Sequence, residues 1–202
     1  MSTHLSTGGT ERGAGEVPVL MYHSIGSGAP RSFRRFAVDP GEFAAQMAYL
    51  DEVGYSVLTA VELAVSRTSG RSLPPHPVVI TFDDAYADFY SAALPVLKEH
   101  DFRATLYVPT GYVGATSRFN GTRGEGDRKI LSWDALRDIT AEGVEMAAHS
   151  HTHPQMDRVP AAAIRDEVRR SRRLIEDKLP ELQSNLTMLL RAADPSQGPS
   201  AG

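Results

Sequence analysis

Val78-Val79-Ile80-Thr81-Phe82-Asp83-Asp84 is the stretch whose reading decides the fold. Its β-branched and aromatic run has the content of a buried strand, and it stops at two carboxylates. A second run has the same form. In Met146-Ala147-Ala148-His149-Ser150-His151-Thr152-His153-Pro154, an apolar strand opened by Gly143 is closed by His149. Working outward, further strands read at 18–23, 55–58 and 103–108. Between them lie segments of helical period, so strands and helices alternate along the chain. That alternation predicts an α/β fold with a mainly parallel sheet.

The helix signals are mostly those of capping chemistry. Asp39-Pro40-Gly41-Glu42 offers an N-cap, a proline at the first helical position and a glutamate three residues on. Phe43, Met47 and Leu50 then recur on one face, and Gly54 ends the helix. Thr59-Ala60-Val61-Glu62 repeats the signature for a helix that stops before Gly70. A helix is predicted over 86–100, shortened or kinked by Pro95. Ser132 caps another through Ala141. The segment 160–179 carries the strongest helical pattern, with Ile164, Val168, Ile175 and Leu179 as its apolar stripe. Residues 24–35 and 109–129 read as loops, the second holding five glycines and long enough to suggest function.

At 202 residues the chain can bury a substantial core. A net charge of −4 gives no general attraction to nucleic acid or anionic membrane. The arginines at 165–173 alternate with acids, the pattern of a solvated, ion-paired helix face. With no cysteine, a transition metal must be held by nitrogen and oxygen. Residues 1–16 are rich in Ser, Thr and Gly without an apolar core, which reads as a disordered leader and not a signal peptide. No run approaches the ~20 apolar residues of a membrane helix. A cytoplasmic location is the expectation from these features.

The two strand ends carry the chemistry. Functional groups in such folds gather where loops leave the C-terminal ends of strands. Asp83, Asp84, His149 and His153 all fall there, as do Tyr22 and His23. An Asp-Asp pair alone is more often a helix cap beside a solvated acid, and a histidine-rich loop need hold no metal. Together, carboxylate and paired imidazoles suit a divalent ion, zinc first among the candidates. Such an ion lowers the pKa of bound water from 15.7 to about 7, and a second carboxylate can take the proton. Hydrolysis of an ester or amide is the reaction such a site fits.

The motifs at 19–24, 81–84 and 149–154, with the pattern between them, resemble the polysaccharide deacetylase family, carbohydrate esterases with a NodB-like domain. The resemblance covers residues 17–179. It implies a partial, distorted (β/α) barrel of that type with about five strands present. It further implies Asp83 as catalytic base, Asp84, His149 and His153 as metal ligands, and removal of N-acetyl or O-acetyl groups from a carbohydrate. Tyr22 and His23 are expected near the substrate pocket, although a packed strand-end histidine is an equal reading of His23. His151 matches no ligand position and reads as a loop residue.

Two departures from the family pattern stand out. Ala85 occupies a position where the family commonly has glycine. Residues 180–202 form a divergent or disordered tail that lacks the family's later Arg-Pro-Tyr, Asp/Trp and Leu-x-His segments. The domain is therefore expected to be incomplete, and the competing function is an impaired remnant that binds metal or glycan without efficient turnover. A two-histidine, one-carboxylate iron oxygenase uses the same ligand types, but its usual host is an all-β double sheet.

Overall fold

The computed structural model describes residues 16–120 and 128–180. The elements run β1 (Val19–Tyr22), β2 (Ser24–Ile25), β3 (Ala37–Val38), α1 (Pro40–Val53), β4 (Ser56–Leu58), α2 (Ala60–Ser69) and β5 (Pro77–Phe82). They continue with α3 (Leu94–Glu99), β6 (Thr105–Val108), α4 (Trp133–Ala141), β7 (Glu145–Ala148) and α5 (Ala161–Lys178). Five strands form the main sheet in the order β1-β5-β6-β7, and β4 pairs with the early part of β5. All of these ladders are parallel. The all-β host of the oxygenase alternative is therefore not this fold.

Register sorts the strand residues onto two faces. Leu20, Tyr22, Ile80, Phe82, Leu106, Val108 and Met146 share one parity. They pack into the core with Phe43, Met47 and Leu50 of α1 and with Leu136 and Ile139 of α4. The opposite face carries Val79, Thr81, Thr105, Tyr107 and Glu145, and on β1 it carries Val19 and Met21. Continuing that second parity past the strand ends reaches His23, Asp83 and His149. The sheet thus delivers the three residues to one end of one face.

The caps behave as their chemistry predicts. Asp39 accepts the Gly41 N–H at 2.9 Å, and Gly54 closes α1 in the left-handed conformation at φ +78°. Thr59 and Glu62 form a reciprocal capping box on α2. Ser132 accepts the Ala135 N–H at the start of α4.

Other expectations are corrected. The predicted helix over 86–100 begins with a π-helical turn, Phe89–Ala93, before α3. The Leu94 N–H reaches the Phe89 carbonyl, and Pro95 then has no N–H with which to continue regular bonding. The loop 24–35 holds β2, which pairs in parallel with β3 through Ser24↔Ala37 and Ile25↔Val38. The stretch 109–129 contains short 3-10 turns at Thr110–Tyr112 and Arg118–Asn120. On α5, Val168 is 51% exposed while Ser171 is buried, so Glu167 and Ser171 face the body where Val168 was expected. The proposed leader falls outside the described residues except for Glu16, and so does the tail beyond Pro180.

Candidate metal centre

Asp83 and Asp84 leave β5 at a turn that the backbone fixes on three sides. The Asp83 N–H donates to the Tyr22 carbonyl at 2.8 Å, Leu131 donates to Ala85, and Ala87 donates to Lys129. Asp84 and Ala85 sit at φ +73° and +52°, a region costly for residues with a Cβ. The second motif is bent in the same way. His149 continues the sheet by donating to the Val108 carbonyl at 2.9 Å, and Ser150 and His153 then adopt φ +59° and +54°. The His153 N–H donates to Ser150 Oγ at 3.0 Å. Backbone held in sparsely populated conformations clusters at functional sites, where surrounding contacts over-determine it.

These turns bring Asp84, His149 and His153 together, with one ligand atom from each lying within 4.8 Å of the others. Asp84 Oδ1 is 3.2 Å from His153 Nε2 and 3.7 Å from His149 Nε2. Ligands about 2.0–2.1 Å from a tetrahedral zinc lie about 3.3 Å apart, so the spacing suits an ion. Asp84 Oδ1 is also buried without a hydrogen bond of good geometry. A buried carboxylate oxygen in that condition is costly, and a cation between the three groups would satisfy it. The residues fit a divalent metal.

The electrostatics separate the two carboxylates. Burial pushes the Asp83 carboxyl above its ordinary range, with Asp84 adding to the rise and His23 and His153 opposing it. Burial acts on Asp84 too, but the close approach and charge of His153, with His149 and His23, outweigh it and hold that carboxyl low. The contact with Asp84 raises His153, while desolvation lowers His149.

The other expected residues divide. His23 is half-buried, packs against Phe36 at 5.0 Å between ring centroids, and exerts its charge on both Asp83 and Asp84. Tyr22, expected near the pocket, faces α1 instead. Its ring stacks on Phe82, and its hydroxyl donates to Gln46 at 2.6 Å. His151 lies outside the ligand group, with Nδ1 3.0 Å from Thr110 Oγ1.

Several residues went unnoticed in the sequence. Phe119 lies 4.4 Å from the His153 ring, and Tyr107 lies edge-on to His149 at 6.1 Å. Strand parity flagged Tyr107 once β6 was known, whereas Phe119 comes from a loop without pattern. Gly111 donates to the His151 carbonyl at 2.8 Å. A Cβ there would stand 2.7 Å from the same oxygen, so only glycine permits the approach.

A family model described as polysaccharide deacetylase matches residues 70–191. The chain belongs to the polysaccharide deacetylase family. The Bacillus subtilis protein YxkH is 30% identical over 168 residues, covering 83% of this chain and 54% of that one. Poly-beta-1,6-N-acetyl-D-glucosamine N-deacetylase of Escherichia coli is 30% identical over 110 residues, covering 52% of this chain and 16% of that one. The solved structure of IcaB from Ammonifex degensii superposes with a TM-score of 0.66 at 25% identity, covering 81% of this chain and 70% of that one. The deacetylase-family chain described here thus spans about half the length of YxkH. Its parallel sheet with flanking helices is consistent with the expected partial barrel of the NodB type. None of its described helices is long and apolar enough to cross a membrane.

Proposed function

We propose that this chain is a metal-dependent hydrolase that removes N-acetyl groups from an amino-sugar polymer. Asp84, His149 and His153 hold the ion, zinc by the match of donor set and spacing. The observation that carries the reading is the buried Asp84 oxygen, without a hydrogen bond of good geometry and 3.2 and 3.7 Å from two imidazole nitrogens. A bound divalent ion would polarise the amide carbonyl and lower the pKa of a water beside it.

Asp83 is the base. It sits one residue from the ligand set, and its raised pKa brings it closer to the range in which general bases work best. His23 lies beside Asp83 by strand register, on the same face of the sheet, and is not among the three residues assigned to the metal. We assign it the transfer of a proton to the leaving amine. The end of β1 would then supply the acid. Phe36 against His23 and Phe119 against His153 give apolar flanks suited to a sugar ring. The name of the Escherichia coli relative points to β-1,6-linked N-acetylglucosamine as the polymer to test.

Acetate release from β-1,6-linked N-acetylglucosamine oligomers and from chito-oligosaccharides tests the proposal. Release is expected with added zinc and lost with a chelator. Asp83→Asn and His23→Gln should each cut it about 10²–10⁴-fold. Chelator-resistant release would overturn the metal reading. Zinc binding without any release would favour the remnant that holds metal or glycan and turns over poorly.

A further inference from the structure

The loop that carries both histidine ligands is gripped from outside by a residue of α5. Glu167 Oε2 accepts the His151 N–H at 2.8 Å and the Thr152 N–H at 2.6 Å, while Oε1 accepts the Thr152 hydroxyl at 2.7 Å. Burial alone would raise this carboxyl, but the hydrogen bonds from Thr152 and His151 hold it below its ordinary range. On the opposite side the loop lies against residues 110–111. Thr110 donates to the Ser150 carbonyl at 3.2 Å, and Gly111 donates to that of His151.

We propose that Glu167 is a positioning residue for the metal centre, fixing the 149–153 turn so that His149 and His153 converge on Asp84. The role rests on the metal reading above. The turn needs such a hold because Ser150 and His153 both lie at positive φ, which the free chain would relax. Glu167 satisfies two successive N–H groups in the middle of the turn, between the ligands and not at them. Val168, next to Glu167 on α5, is left exposed. Charge-assisted hydrogen bonds are roughly twice as strong as neutral ones, which favours a carboxylate for this task. Groups that orient metal ligands typically alter metal affinity about 10–100-fold when removed.

Zinc affinity measured by chelator competition, together with amide hydrogen exchange of the metal-free protein, tests the proposal. Glu167→Ala is expected to weaken zinc binding about 10–100-fold and to speed exchange at His151 and Thr152. Glu167→Gln keeps an acceptor oxygen without the charge and should fall between wild type and alanine. Glu176→Gln, which removes only the charge of the half-buried partner of exposed Arg172, should leave affinity unchanged. Unaltered zinc affinity in folded Glu167→Ala overturns the proposal. Should the alanine variant not fold, unaltered affinity in Glu167→Gln overturns it equally. A wild type that takes up no zinc defeats the metal reading itself and this role with it, a failure visible before any substitution is made.

Discussion

Two adjacent carboxylates at the end of β5 are driven in opposite directions, and the difference has a measurable sign. Asp84 is held low by His153 despite its burial. Its ionised form therefore contributes stability above the unfolded-state pKa, and that contribution is lost as pH falls through the folded value. Asp83 is raised by burial. The folded chain binds its proton more tightly than the unfolded chain does, so ionised Asp83 costs stability above its folded pKa. That cost fades as pH falls through the same value. Asp83→Asn should accordingly raise the Tm of the metal-free protein at neutral pH, with the gain shrinking in acid, while acetate release collapses. Calorimetry across a pH series checks this, and a lower Tm at neutral pH would refute it. Ala85, next in line, shows why the expected glycine is dispensable. Its left-handed backbone costs about 1–2 kcal/mol, but its fully buried methyl offsets about 0.8 kcal/mol of that.

At the scale of elements, α2 is tied to the sheet by side chains that a linear reading does not connect. The Ala60 N–H donates to Thr105 Oγ1 at 2.9 Å, Thr105 donates to Glu145 at 3.2 Å, and the Val61 N–H donates to the same carboxylate at 3.1 Å. Thr105→Val keeps the shape and removes both hydroxyl bonds, leaving a half-buried N–H and a carboxylate short of partners. A loss of about 1–3 kcal/mol is expected by urea denaturation, and a change below about 0.5 kcal/mol would show that water replaces the hydroxyl. The contrast with the caps explains what the sequence made legible. Thr59 and Glu62 stand three residues apart and act on their own helix, so local pattern suffices. The same holds for the strand ends at Asp83 and His149, because a parallel sheet brings C-terminal ends to one side by topology. Glu167, Gly111 and the Thr105–Glu145 link act across distant segments, and nothing in their neighbours announces it. The π-helical turn before Pro95 was half legible: proline predicted a disturbance but not its form.

Across the whole molecule, the site occupies one end of a sheet face that is not uniformly covered. Parallel sheets are ordinarily buried on both faces, and Val79, Thr81 and Thr105 are buried. On β1 the same face leaves Val19 54% and Met21 63% exposed. Among the described residues β1 pairs only with β5, so its other edge offers unpaired backbone beside apolar side chains. An edge of that kind is a template for pairing with another chain. The protein is therefore expected to self-associate reversibly as its concentration rises, and Val19→Lys should suppress this by placing a charge on the edge. Val19 precedes His23 by four residues and points from the far end of the strand, so zinc affinity should not change. Because the side chain is already half in water, stability should shift by no more than about 0.5 kcal/mol. Sedimentation velocity of the two proteins over a concentration series decides the matter. Equal association in wild type and Val19→Lys would place the contact elsewhere, and the open edge of β1 would then be no more than a solvated margin of the sheet.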